Sequence, residues 1–122
     1  MDISTPIAYV QSMELFRTSS YSAGLKRLRK LGASEADVAA MEDAIGSNPD
    51  AGQVIPRSGG MRKIRFGYAA KGDRGGGRTI YYVVADDETI YLLITYPKVD
   101  KDDLTAKELR LFKSLVKELT DG

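Results

Sequence analysis

Residues 61–98, MRKIRFGYAAKGDRGGGRTIYYVVADDETIYLLITYPK, decide the fold. Within this stretch MRKIRFGY, RTIYYVVA and TIYLLITY are each rich in β-branched and aromatic residues and alternate with the period of a strand. Only Asp86-Asp87-Glu88 separates the last two. That is too short for a crossover, so it predicts an antiparallel hairpin. The earlier connection, from about Ala69 to Gly77, is longer and carries Gly72, Gly75, Gly76 and Gly77.

Working outward, the pattern on both sides is helical. From about Ser20, Leu25, Leu28 and Leu31 recur at intervals of three among Lys26, Arg27, Arg29 and Lys30, which predicts an amphipathic helix stopped by Gly32. Ser34 and Asp37 have the spacing of a capping box, and Val38, Met41 and Ile45 give a second helix one apolar stripe before Gly46. These two helices read as a hairpin. Asn48-Pro49-Asp50 and Gly52 form a turn-rich connector. Further upstream, Ile7, Tyr9 and Val10 after Pro6 predict a short strand over Ile7–Met13. At the other end Thr105 and Glu108 form a second capping box, ahead of the stripe Leu109, Phe112, Leu115, Val116 and Leu119 of a C-terminal helix. The order β-α-α-β-β-β-α predicts a single α+β domain over 1–122. It would be a curved antiparallel sheet with the N-terminal helical hairpin and the C-terminal helix packed on one face.

Composition removes whole classes of chemistry. At 122 residues one core is expected, with no need of staples. The sequence has no Cys and no His. Disulfide frameworks, thiol nucleophiles, a Ser-His-Asp triad and zinc sites of ordinary ligand type are therefore excluded. Acid-base work is left to Lys, Tyr, Asp or Glu. The start, MDISTPIAYV, lacks a basic n-region and an apolar h-region, and no apolar run is long enough to span a membrane. The expectation is a soluble cytoplasmic protein with no membrane partner.

A formal net charge of +1 conceals an uneven distribution. Between Arg57 and Arg78 lie Arg57, Arg62, Lys63, Arg65, Lys71, Arg74 and Arg78 against Asp73 alone, a local charge of +6, while the rest of the chain carries −5. An isolated basic pair on a strand is usually a solvated face. Seven cations within 22 residues are the footprint of a surface that meets phosphates. Alternation sets Lys63 and Arg65 on one face of their strand and Arg62, Ile64 and Phe66 on the other. On the last strand Leu92, Ile94, Tyr96 and Lys98 form one set and Tyr91, Leu93 and Thr95 the other. If Lys63, Arg65, Arg78, Tyr96 and Lys98 converge, they make a cationic floor with aromatic walls on the side of the sheet away from the helices, suited to RNA. The tyrosines are equally at home as ordinary strand formers. The glycines at 72 and 75–77 have neither Walker A nor G-x-G-x-x-G spacing and no helix follows them, so they read as a strand connection. Asp86, Asp87, Glu88, Asp100, Asp102 and Asp103 read as solvated turns ahead of a cation site.

The runs GSNPDAGQVIPRSGGMRKIRF, KGDRGGGRTIYY, LLITYPK and DDLTAKEL together resemble the RelE/ParE superfamily of bacterial type II toxins, and in particular its HigB-like RelE branch, over about Asn48 to Leu119. The resemblance implies a small cytoplasmic ribonuclease that cleaves messenger RNA in the ribosomal A site, needs no cofactor and is neutralised by a cognate antitoxin. By position it puts active-site character on Arg62, Lys63 and Arg65, on Arg78 after Gly75 and Gly76, and on Tyr96 and Lys98. Asp73 departs from the pattern, standing where the family has a basic residue.

The expected chemistry is metal-free: the RNA's own 2′-hydroxyl attacks the adjacent phosphate. Arg65 and Arg78 would stabilise the transition-state charge, Lys63 or Lys98 would move protons, and Tyr96 or Tyr82 would stack on or orient a base. The catalytic set is then Lys63, Arg65, Arg78, Tyr96 and Lys98, with Arg57, Arg62, Lys71, Arg74 and Tyr82 as RNA-binding residues. Two rivals use the same scaffold: a ParE-like, non-catalytic inhibitor of DNA gyrase, and a non-toxic RNA-binding domain.

Overall fold

The computed structural model describes residues 13–69 and 75–121. Five strands form one sheet: β1 (Glu14–Arg17), β2 (Gln53–Val54), β3 (Arg62–Phe66), β4 (Gly77–Val84) and β5 (Thr89–Pro97). Three helices accompany it: α1 (Ser19–Lys30), α2 (Glu35–Ser47) and α3 (Ala106–Asp121). The sheet order is β1-β5-β4-β3-β2. Neighbours from β2 to β5 are antiparallel, but β1 runs parallel to β5, so the sheet is mixed rather than wholly antiparallel. The strand expected over Ile7–Met13 lies, Met13 apart, outside the described residues; the first described strand starts one residue later.

The helix signals act as their spacing predicts. Ser34 Oγ accepts from Asp37 N at 3.0 Å while the Asp37 carboxylate accepts from Ser34 N at 3.0 Å, closing the capping box. That carboxylate also accepts from Ala69 N, and these backbone N–H groups hold its pKa below the usual carboxylate range. Thr105 and Glu108 make the same reciprocal pair before α3. The β4–β5 hairpin turns through Ala85–Asp87 and a left-handed Glu88.

Two cores sandwich the sheet. On one face α1 and α2 pack Tyr21, Leu25, Leu28, Val38, Met41 and Ile45 against Tyr81, Ile90 and Leu92. On the other, Phe112, Leu109, Leu115 and Val116 of α3 meet Ile80, Leu93 and Ile94. The α+β class, the three helices and β3 to β5 hold, whereas β1 and the two-residue β2 fall outside the expected strands and α3 does not share a face with the helical hairpin. The heavily apolar β4 and β5 need cover on both sides, which one layer of helices cannot give.

A β-bulge explains a second difference. Ile80 pairs with Ile94 but Tyr81 pairs with Leu92, so Leu93 has no partner on β4. The extra residue switches the alternation: Leu92 faces α1 and α2, whereas Ile94 and Tyr96 face α3, splitting the set that simple alternation put together. Thr79 and Thr95, opposite one another, share a hydrogen bond at 2.8 Å, and Thr95 Oγ1 donates to Arg78 O at 2.8 Å, so these buried hydroxyls are satisfied.

Helix α1 approaches β5 through Gly24, where an added Cβ would lie 2.0 Å from the Thr95 carbonyl oxygen. Gly24→Ala gains about 1 kcal/mol of helix propensity, but this contact is with backbone that cannot rotate away, and overpacking of that kind costs about 1–3 kcal/mol. The net effect is expected to be a lower thermal midpoint by circular dichroism. A midpoint at or above wild type would show that α1 can slide off β5.

Candidate active site

Register, not proximity in sequence, assembles the site. Arg65 on β3 stands opposite Arg78 on β4, and Arg78 stands opposite Tyr96 on β5, so the three form one cross-strand row. Lys63 lies two residues along β3 from Arg65 and therefore on the same face, opposite Ile80. Lys98 N donates to Gly76 O at 2.7 Å, carrying the ladder one step past Pro97, and parity sets Lys98 on the Tyr96 side.

The row is not bare. Arg78 is 2% exposed; its Nε donates to the Asp102 carboxylate at 3.0 Å and its Nη1 to the carbonyls of Gly75 at 2.5 Å and Gly77 at 3.0 Å. Lys63 Nζ is in contact with the Asp103 carboxylate and lies 3.4 Å from Asp102 O. The Tyr96 hydroxyl donates to Asp102 O at 3.0 Å, and the Lys101 ammonium, paired with Glu108, sits 5.1 Å from the centroid of the Tyr96 ring. Apart from the Gly75 and Gly77 carbonyls, the groups that meet Arg78, Lys63 and Tyr96 here are Lys101, Asp102 and Asp103, in the segment between β5 and α3. No carboxylate among the described residues pairs with Arg65, which is exposed. Burial, and after it the Asp103 carboxylate, push the Tyr96 phenol up to about 12, so at neutral pH it keeps its proton and acts as a donor. The hydrogen bond from Arg78, with the charges of Arg78, Lys63 and Lys98, holds the Asp102 carboxyl below its usual range.

A family model described as the RelE toxin of the RelE/RelB toxin-antitoxin system matches residues 16–121. The chain belongs to the RelE toxin family. Among solved structures, the toxin-antitoxin complex RelBE2 from Mycobacterium tuberculosis matches with a TM-score of 0.54 and 18% identity, covering 70% of this chain and 98% of that one. A mutant of the E. coli toxin RelE in the free state matches with a TM-score of 0.49 and 16% identity, covering 75% of this chain and 88% of that one. At these identities the RelBE2 likeness speaks for the fold, and the family assignment rests on the match to residues 16–121.

In this RelE-family chain the expected catalytic set is brought together and most of the expected RNA-binding set is not. Arg62 is on the α1/α2 face, where its Nη1 donates to Gly52 O at 2.7 Å and its Nη2 pairs with Asp50 at 3.3 Å. Its role is to hold the connector beside β3. The Tyr81 hydroxyl does the same from β4, donating to Pro49 O and accepting from Gly52 N, each at 2.8 Å. Arg57 has a left-handed φ of 60° in the β2–β3 turn, at the far end of β3 from Arg65. Tyr82 shares the α3 face but opposes Tyr91, four residues along β4 from Arg78, roughly 13 Å away at the usual strand rise. Lys71 and Arg74 lie outside the described residues, as does Asp73. The face is also not the helix-free side expected, since α3 and its leading segment lie on it. Sequence reasoning passed over Lys101, Asp102 and Asp103 as parts of the site. The available signal was the acidic doublet Asp102-Asp103 shortly after Tyr96 and Lys98.

Arg78 and Arg65, neighbours in the row, are expected to differ sharply on truncation. Arg78→Ala empties a buried position and leaves the Gly75 and Gly77 carbonyls without their donor, costing roughly 1–3 kcal/mol. Arg65→Ala, on an exposed side chain, is expected to shift stability by less than about 0.5 kcal/mol. Urea denaturation of both variants measures the contrast; equal losses would show that Arg65 is as firmly built into the fold as Arg78.

Proposed function

We propose that this RelE-family toxin is a ribosome-dependent endoribonuclease that cuts messenger RNA in the A site, and that the row Arg65-Arg78-Tyr96 with Lys63 and Lys98 is its active centre. The observation that carries the reading is the row itself. Three strands deliver two guanidiniums and a protonated phenol to one line, with two lysines beside it, all on one face. Like charges directly opposite one another on a sheet are destabilising, so an arginine pair in register is a poor choice for stability alone and a suitable one for an anionic ligand.

The chemistry fits the residues. The 2′-hydroxyl of the substrate attacks the adjacent phosphorus; the O2′–P bond forms, the P–O5′ bond breaks, and a cyclic phosphate and a 5′-hydroxyl result. Lys63 or Lys98 takes the 2′ proton or returns one to the leaving 5′ oxygen. Arg65 and Arg78 donate to the phosphoryl oxygens as charge builds, and Arg78 is already held by its hydrogen bonds to the Gly75 and Gly77 carbonyls, so little reorganisation is needed. Tyr96, a donor at neutral pH, orients the phosphate or the leaving oxygen. A catalytic metal has no part in this scheme, and the ribosome aligns the strand for in-line attack. A cognate antitoxin is the protein partner, and the cytoplasm, where translation occurs, is the place of action.

The test is cleavage of a messenger on stalled ribosomes. Arg65→Ala is expected to lower the rate by about 10²-fold or more with the thermal midpoint unchanged, and wild-type products should end in a 2′,3′-cyclic phosphate and begin with a 5′-hydroxyl. Products with a 5′-phosphate, an undiminished rate in the variant, or gyrase inhibition with intact RNA would each discard the proposal.

A further inference from the structure

Resting on that reading, we infer that residues 100–103, between β5 and α3, are an intramolecular plug that occupies the places of the RNA and has to be displaced for substrate to enter. The contacts map one for one onto what a single strand of RNA would supply. Carboxylates of consecutive residues, Asp102 and Asp103, sit on Arg78 and Lys63 where phosphates would. The Asp102 carbonyl accepts from the Tyr96 hydroxyl, as a phosphate oxygen would. The Lys101 ammonium lies over the Tyr96 ring, where a base would stack.

Relative exposure shows which partner is the cover. The Arg78 and Lys63 side chains are 3% and 21% exposed, while those of Asp102 and Asp103 are 53% and 76% exposed. The cations are built into the sheet and the carboxylates lie above them, facing water. Lifting the carboxylates therefore returns them to solvent at little desolvation cost and uncovers both cations. A latch holds the segment at its start: Arg27 of α1 grips the Asp100 carboxylate through two hydrogen bonds, at 3.1 and 2.9 Å. At its far side Lys101 pairs with Glu108 in the first turn of α3. The latch contacts lie on α1 and α3, outside the catalytic row, so segment and row can be perturbed separately.

Affinity for a single-stranded RNA made uncleavable by 2′-O-methylation, read by fluorescence anisotropy at fixed salt, tests the inference. The Asp102→Asn/Asp103→Asn variant is expected to bind about tenfold tighter or more, the scale of one charge-assisted hydrogen bond no longer competed for. Asp86→Asn/Asp87→Asn, on the exposed β4–β5 turn, makes the same change in net charge away from the site and is expected to shift affinity far less. Arg27→Gln removes a positive charge yet is expected to tighten binding, because it frees the segment; no general electrostatic effect gives that sign. Equal shifts from the two Asp pairs, or weaker binding by Asp102→Asn/Asp103→Asn or by Arg27→Gln, overturn the plug. Arg65→Ala separates the two claims: binding that falls with it while the Asp pairs stay equivalent overturns the plug alone. Binding that ignores Arg65 but tightens with the plug variants upholds the plug and overturns the catalytic assignment.

Discussion

Two guanidiniums held opposite one another on adjacent strands are the constraint around which the rest of this molecule is arranged. The register that pairs β3 with β4 sets Arg65 against Arg78, an unfavourable pairing that an anion beside either guanidinium relieves. In the free protein the anion is the Asp102 carboxylate, and the segment that brings it also brings Asp103 to Lys63 and a backbone carbonyl to Tyr96. The same electrostatic demand that would suit the row to the RNA proposed for it is met here by the chain's own carboxylates.

Keeping such a row in register requires a rigid sheet. The two apolar cores clamp β4 and β5 from both sides, and the threonine pair Thr79 and Thr95 ties these strands through buried, satisfied hydroxyls. Gly24 lets α1 lie against the β5 backbone beside Thr95, next to the row. Arg78 belongs to both systems: its backbone carbonyl accepts from Thr95, and its side chain is fixed by the Gly75 and Gly77 carbonyls. Arg78 is thus part of the fold as well as of the row, whereas Arg65, on an exposed side chain, can be changed with little effect on the fold.

The sequence by itself determined β3, β4 and β5, the three helices, both capping boxes and the β4–β5 hairpin, because turn residues, caps and apolar periods are local properties read over a few neighbours. It also determined that the cations are clustered, and that Lys63 and Arg65 share a face, since alternation needs no partner strand. What only the tertiary structure decided was everything that depends on a second strand or a second layer. The bulge at Leu93 put Leu92 and Ile94 on opposite sides of the sheet, and no local signal marks which residue of an apolar run will lack a partner. The side taken by α3 followed from two sheet faces both needing cover. Arg62 was drawn to Asp50 and Gly52 rather than to the cationic row, and Asp102 and Asp103 to that row rather than to water. Charge in a sequence has a sign and a spacing but no direction in space, so which opposite charges meet is settled only when the chain closes on itself.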